Sequence, residues 1–501
     1  MIYLKPRKLD IRGTRESSEV YFNSITAEEH GIKQGDLVVI YLKDLELGGV
    51  AVLTDTLVKE DEIGLPMIVW IDYRVSQKDL IPVELKGQAK SVKFIRKKIL
   101  GEPLNYSEAF AIMDDIVKRK LTPVEMTYFA ATSYNPGFSD EEMFYLTKAM
   151  VETGEKIDFS DVTNVTLDKH SIGGLPAKGV TPIIVSVLAS LGYYLPNTSS
   201  RAITSPAGTS DVLEVVMPVA LSKEKIIEVV RKERACMVWG GALNLAPADD
   251  ILIQIEKPLH IESYDKFVVS IMAKKVAMGI TYQLIDVPYG QYAKVPYKDV
   301  EKVKQMFEFI AKKFGMNLTV YTRKSYGSDG KGIGPILEMR DILWILERDK
   351  RRPLGIENLA LDMASELMVL TGEHTKQEAL ALLRESLESK KALEKFWAIA
   401  IAQGAEYRVK ADELKPGAYM KDIFIGKSGV IKGFDNRKIV RITRALGAPS
   451  AKGAGIYLHY FVDEKVKAGD IIATLYAENH SRLQLAEQIL EEMGDSWVKL
   501  I

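Results

Sequence analysis

Cysteine is all but missing from this chain. Cys236 is the one thiol in 501 residues, which excludes an intramolecular disulfide and a cysteine-based zinc site and fits a reducing, cytoplasmic setting. Histidine is scarce as well, and His30, His170, His260, His374, His459 and His480 have no metal-ligand spacing, so no metal is expected. Net charge is nearly absent: 67 Lys and Arg against 68 Asp and Glu leave -1. That balance gives no electrostatic ground to expect nucleic acid or an anionic membrane as partner. No apolar run approaches membrane-spanning length, and residues 1–10 alternate basic and apolar side chains without the apolar stretch of a signal peptide.

What is present is globular material, with 47% hydrophobic and 27% charged residues. The length implies about three or four domains. Residues 1–92 carry alternating apolar runs at 37–41, 50–53 and 67–71, turns at Gly31, Gly35-Asp36 and Gly48-Gly49, and one short capped helix from Thr26. They predict a small β-barrel-like domain. Over 93–165, with part of 225–280, the period turns helical. Asn105 caps a helix striped by Phe110, Met113, Ile116 and Val117, and Thr122-Pro123-Val124-Glu125 and Ser139-Asp140-Glu141-Glu142 are capping boxes. Residues 166–405 alternate strand and helix, with strands at 282–287 and 317–322, an amphipathic helix at 300–314, and helices at 354–371 and 376–403. This order predicts a large α/β domain with a mostly parallel sheet. Ligands on such sheets lie beyond the carboxyl ends of the strands, where Asp286, Tyr289, Gly290, Lys294 and the glycines of 327–334 fall. Residues 406–501 return to β character at 429–433, 455–458 and 466–476.

The densest chemical signal is residues 168–211. Lys169-His170-Ser171-Ile172-Gly173-Gly174 and Pro176-Ala177-Lys178-Gly179 precede an apolar helical run at 180–191; Asn197-Thr198-Ser199-Ser200-Arg201-Ala202-Ile203-Thr204-Ser205-Pro206-Ala207-Gly208-Thr209-Ser210-Asp211 follow it. Glycine permits positive φ and close backbone approach, and an anion at Gly173, Gly174 and Gly179 would face a helix N-terminus. Lys169 supplies a point charge, Ser171, Ser199, Ser200, Thr204 and Thr209 supply hydroxyls, and Arg201 supplies a planar fork. Either loop alone is an ordinary connector. Two of them bracketing one helix read as a phosphate site. Elsewhere, Asp249-Asp250 read as a helix-initiating turn, Lys275 as a solvated charge, and Arg323 and Lys324 as phosphate receivers or strand caps.

These strings resemble the thymidine/pyrimidine-nucleoside phosphorylase family along nearly the whole chain, through Lys169-His170-Ser171 with Gly173-Gly174 and through Gly208-Thr209 with Asp211. Within it, residues 198–209 and 236–250 are most similar to the AMP phosphorylase branch. The resemblance implies an N-terminal domain that contributes to assembly, a helical domain, a phosphate- and nucleotide-binding α/β domain, and a C-terminal α+β domain over 406–501. It implies phosphorolysis in nucleotide catabolism, AMP plus phosphate giving adenine and ribose 1,5-bisphosphate, with CMP and UMP as further substrates to test. Phosphate is a co-substrate; no cofactor is implied, and the assembly is a homodimer or larger homo-oligomer.

Carried over residue by residue, Lys169, Ser171, Ser199 and Thr209 hold phosphate. Gly174, Ser200, Arg201, Ala202, Ile203, Thr204, Ser205, Thr209, Ser270 and Lys294 bind the nucleotide, and Glu262 is the proton donor. His170 and Lys274 are further candidates. Three departures stand out: Glu262 replaces an aspartate, Ala177-Lys178-Gly179 swaps the lysine and glycine positions, and Tyr289 and Tyr292 flank the approach to Lys294. The alternatives are a thymidine/pyrimidine- or purine-nucleoside phosphorylase, which needs no 5′-phosphate, a phosphoribosyltransferase, and an inactive nucleotide-binding paralogue.

Overall fold

The computed structural model describes residues 1–11, 19–42, 45–85, 87–202, 205–256 and 263–501. Two compact units result, one of residues 1–155 with 246–273, the other of 156–245 with 274–501. Among the described residues no helix is long and apolar enough to cross a membrane.

In the first unit six strands close on themselves in the order Ile2–Leu9, Glu62–Pro66, Glu19–Asn23, Leu45–Thr54, Leu37–Leu42 and Ile81–Leu85. Phe22, Ile63, Leu65 and Ile81 fill the interior. Two expectations fail here. The run at 67–71 is part of a helix, Met67–Tyr73, because a short unbroken apolar run carries no period that separates strand from buried helix. Gly48 does not turn the chain but lies inside a strand, where its N–H donates to Lys118 O at 2.6 Å. A Cβ there would stand 2.3 Å from Arg119 O, so glycine lets the strand touch the end of the helix Tyr106–Val117.

The caps expected at Asn105, Thr122 and Ser139 form, each accepting from the backbone N–H three residues on, with a glutamate returning the bond; the short helix expected from Thr26 instead runs Ser24–Glu29 and is capped by Asn23. Glu142 does more than cap. It forms a buried ion pair with Lys98 at 2.7 Å and accepts from Leu104 N at 2.9 Å, which ties neighbouring helices together.

In the second unit Asn317–Lys324, Tyr282–Tyr289 and Leu167–Ser171 lie side by side in parallel, with Lys169 opposite Leu284 and Ser171 opposite Asp286. Leu195–Ser199 pairs in parallel with Ala235–Trp239, and the bridge Thr166↔Tyr194 links the two groups. Helix Val180–Ser190 is buried along nearly its whole length, with Ile183, Ile184, Val187 and Leu188 inaccessible to solvent. A helix apolar on all sides belongs in a core, and this one carries its N-terminus to the sheet's carboxyl edge. The helix expected over 376–403 is two, Lys376–Glu388 and Lys391–Gln403, broken where Lys390 turns left-handed at φ 60°. No glycine or proline marks that break. Toward the C-terminus, Gly332–Ile333, Gly455–Leu458, Ile471–Ala477 and Tyr419–Phe424 form an antiparallel sheet, packed by helices Asn436–Leu446 and His480–Met493.

Candidate functional site

Two of the parallel strands, Leu167–Ser171 and Leu195–Ser199, bring their carboxyl ends to one cavity of about 100 Å³, all of it within the second unit; Tyr289, Gly290 and the glycines of 327–334, also expected at the carboxyl edge, do not line it. Lys169, His170 and Ser171 arrive on one strand and Ser199 on another. Gly174, Ser200 and Ser205 come from the loops, Thr209 from the start of the short helix Thr209–Leu213, and Thr181 from the first turn of the buried helix. The two loops singled out in the sequence therefore share one wall.

Lys169 sets the electrostatics. Its side chain is 3% exposed, and the described residues give its ammonium no ion-pair partner. Burial pushes it down to about 7 against the pull of Asp286, with Lys178 and Arg323 adding to the push. Burial likewise drives His170 well below its ordinary range, helped by Lys275, Lys169, Lys274 and Lys178, so the imidazole is neutral at pH 7. Behind the lysine, Asp286 is fully buried and takes Lys178 at 3.0 Å and Arg323 Nε at 2.9 Å. Burial opposes ionisation there, yet Lys178, Arg323 and Lys169 hold the carboxyl well below its usual range. Arg323 also grips Asp329 with both terminal nitrogens, at 2.7 and 2.6 Å. Its fork is thus committed to carboxylates rather than to a ligand phosphate.

The expectation of a solvated Lys275 is wrong. That residue is 1% exposed, and its ammonium reaches Asp168 at 2.5 Å, Thr198 O at 2.7 Å and Thr198 Oγ1 at 3.0 Å. Asn197 closes the ring by donating to Asp168 Oδ1 at 2.5 Å. These contacts bolt together the two strands that present Lys169 and Ser199. Lys275→Met strands a buried carboxylate, and removal of one partner from a buried pair costs about 3–5 kcal/mol. A denaturant titration should show that loss; an unchanged midpoint would show the ring is dispensable.

The second loop is fastened by Asp211, which accepts from Ala202 N at 2.7 Å and Gly208 N at 2.8 Å. A Cβ on Gly208 would lie 2.4 Å from Ser200 O, so only glycine permits this fold-back. Arg201 is not on the cavity wall. It chelates Glu214 at 2.7 and 2.6 Å, reaches Asp211 at 3.3 Å, and lies 4.7 Å over the Trp239 ring. The Arg201 hydrogen bonds, with Lys452 assisting, bring Glu214 down to about 2. Ser199 Oγ and Ser210 Oγ are 2.8 Å apart.

Lys294 lies across the glycine loop. Gly174 has φ 87°, and a Cβ on it would meet Lys294 Cγ at 2.6 Å, so both conformation and space demand glycine. Lys274 is half-buried. Ser270 belongs to the first unit, where it donates to the buried Asp249 at 2.6 Å. Asp249 therefore does more than start a helix. Ile203, Thr204 and Glu262 lie outside the described residues.

Sequence reasoning missed Thr181, Asn197, Thr198, Lys178 and Glu338 on the cavity wall. The first four sit inside or beside the strings already noticed, whereas nothing local marks Glu338. It stands in the first turn of helix Pro335–Glu347, accepts from Lys178 N at 3.1 Å and Gly334 N at 3.2 Å, and is lifted by burial to about 8. Among the described residues no cluster of His, Cys, Asp or Glu is placed to hold a metal ion.

A pH dependence follows. Below about 7 Lys169 is charged and attracts an anion; above it the attraction fades. Glu338 is neutral below about 8 and repels an anion once ionised above it. Both effects have the same sign, so anion affinity falls as pH rises from 6 to 9. Sulfate, whose charge is constant over that range, is the probe; affinity that is flat or rising with pH would contradict the assignment.

Residues 92–154 match the glycosyl transferase family helical bundle domain, 163–306 the glycosyl transferase family a/b domain, and 430–494 the pyrimidine nucleoside phosphorylase C-terminal domain. An AMP phosphorylase of Methanocaldococcus jannaschii is 37% identical over 97% of this chain and 95% of its own. One of Methanosarcina mazei is 37% identical over 93% and 92%, and a putative thymidine phosphorylase of Legionella pneumophila 36% over 89% and 85%. Among solved structures, anthranilate phosphoribosyltransferase from Thermus thermophilus superposes with TM-score 0.53 at 17% identity, covering 62% of this chain and 98% of that one. The Saccharomyces cerevisiae enzyme in complex with PRPP and Mg gives 0.51 at 13%, covering 63% and 98%. At such identities the likeness is one of fold.

Proposed function

Because the chain belongs to the AMP phosphorylase family, related to the thymidine phosphorylases, we propose that it is a pentosyltransferase converting AMP and phosphate to adenine and ribose 1,5-bisphosphate. The observation that carries this reading is the buried Lys169, without an ion-pair partner among the described residues, on a cavity wall shared with Ser171, Ser199, Thr209 and a helix N-terminus. A buried cation of that kind is costly unless an anion completes it.

In this reading Lys169, Ser171, Ser199 and Thr209 hold the phosphate that attacks the anomeric carbon. Holding the nucleophile in line saves the entropy of a bimolecular encounter. The transition state is oxocarbenium-like, as in glycoside cleavage, and fixed donors that need no reorganisation stabilise the charge as it moves. Gly174, the loop 200–205, Thr209, Ser270 and Lys294 bind the nucleotide, and Glu262 protonates the departing base. Of the loop, Arg201 and Ala202 serve by keeping the backbone folded on Asp211 and Glu214. His170, neutral in its site, is a hydrogen-bonding group rather than a cation. The same reading includes the four-part division at about residues 92, 165 and 405, a cytoplasmic homodimer or larger assembly, and no cofactor beyond the co-substrate.

The test is base release from AMP, CMP, UMP, adenosine and thymidine, each with and without phosphate. Phosphate-dependent release from a nucleotide supports the reading. Release from nucleosides alone makes the chain a nucleoside phosphorylase, and no release from any substrate overturns phosphorolysis altogether.

A further inference from the structure

The loop that swaps lysine and glycine relative to its resembled family is accounted for by its backbone. Ala177, 1% exposed, takes the left-handed conformation at φ 54°, which costs an alanine about 1–2 kcal/mol. The next residue, Lys178, is thereby turned so that its chain lines the cavity. Gly179 has no room for a side chain: a Cβ would stand 2.8 Å from Ile342 Cγ1. In this backbone a lysine is accommodated at 178 and not at 179.

The Lys178 side chain is 14% exposed, and its backbone N–H is fixed by Glu338. Its ammonium bonds Ser171 Oγ and lies 3.0 Å from Asp286 Oδ2. An ammonium has three N–H donors; those two acceptors occupy two. Burial and the nearby Arg323 lower the Lys178 ammonium from its ordinary range while Asp286 pulls it back up, and the Asp286 and Ser171 contacts hold it in place before any ligand arrives. Ser171 is itself among the residues assigned to phosphate, which puts Lys178 one hydrogen bond from the anion's position.

We propose that Lys178 is a second cationic ligand of the phosphate nucleophile, acting with Lys169 through the donor left over from Ser171 and Asp286. This rests on the phosphorolysis reading and adds to it a residue that the family resemblance did not assign. Asp286 serves as the positioning residue for that ammonium, and Arg323 keeps Asp286 from drawing it away.

The experiment measures KM for phosphate and KM for AMP separately on the full chain. Lys178→Gln keeps a donor for Asp286 but removes the charge. Its KM for phosphate should rise about 10- to 100-fold, the span of a charge-assisted hydrogen bond, with KM for AMP unchanged; Lys178→Arg should restore much of the loss. A phosphate KM equal to the parent's overturns the proposal. So does a parallel rise in both constants, which would mark Lys178 as a loop anchor. On the unmodified protein, carbamylation of Lys178 by cyanate, followed by mass spectrometry, should slow when sulfate is added. An unchanged rate overturns the proposal even if the variants do not fold. Because sulfate alone is the probe there, that arm stands apart from whether the protein releases a base.

Discussion

Lys169→Met is expected to lower kcat/KM for phosphorolysis by about 10²- to 10³-fold, the cost of removing one preorganised charge-stabilising donor. It should do so without weakening the fold. In the free protein Lys169 is 3% exposed and pushed from 10.5 to about 7, so keeping it charged below that pH costs about 5 kcal/mol relative to water. Methionine fills similar volume without that cost, and replacing buried charge by well-packed apolar groups is often neutral or stabilising. Activity and stability should therefore move in opposite directions, or stability should stay level. A variant that loses both would make Lys169 a structural residue. Steady-state kinetics with a thermal unfolding scan decides between them.

Glu262→Gln is expected to reduce kcat by about 10²- to 10⁴-fold, the usual contribution of a positioned general acid, while AMP binding is retained. Glutamine keeps the size and a hydrogen-bonding head but has no proton to give to the departing base. Glu262→Asp supplies the control: it retains the acid while withdrawing it by one methylene, so activity should persist at a reduced or comparable level. The fall in kcat at alkaline pH that the parent owes to this acid should be missing from the glutamine variant. Unchanged turnover in Glu262→Gln would remove Glu262 from the chemistry.

Much of the architecture was legible because it is written in local rules. The two capping boxes and the Asn105 cap formed as their spacing required, and alternation of strand and helix gave parallel pairs around Lys169. Reading failed where tertiary packing decides. Residues 67–71 have an apolar run that suits either strand or helix, and the run folds as a helix that buries Val69 with the barrel's core residues. Lys275 looks like any helix-end lysine until Asp168 and Thr198 meet it from strands far away in the chain. The break at Lys390 has no glycine or proline to announce it.

The candidate site divides in the same way. Lys169, Ser171, Ser199 and Thr209 stood among a wider set of donors in two loops around one apolar helix, the family resemblance singled them out, and the fold brings them to one cavity. Glu338 was invisible, since a glutamate in a helix's first turn is commonplace and it is burial, with Asp341 and Asp211 nearby, that lifts it to about 8. Arg201 and Arg323 carried the strongest phosphate signature by residue type, yet each is taken up by carboxylates, Glu214 for one and Asp286 with Asp329 for the other. Which cations remain for a ligand is a matter of partners, and partners are set by the fold.

The most direct test is a crystal structure of the protein grown with phosphate or sulfate at pH 6, where Lys169 is charged. One tetrahedral anion is expected in the cavity, within hydrogen-bond distance of Lys169 Nζ and of the hydroxyls of Ser171, Ser199 and Thr209. An anion bound elsewhere while Lys169 stays in an empty cavity would contradict it.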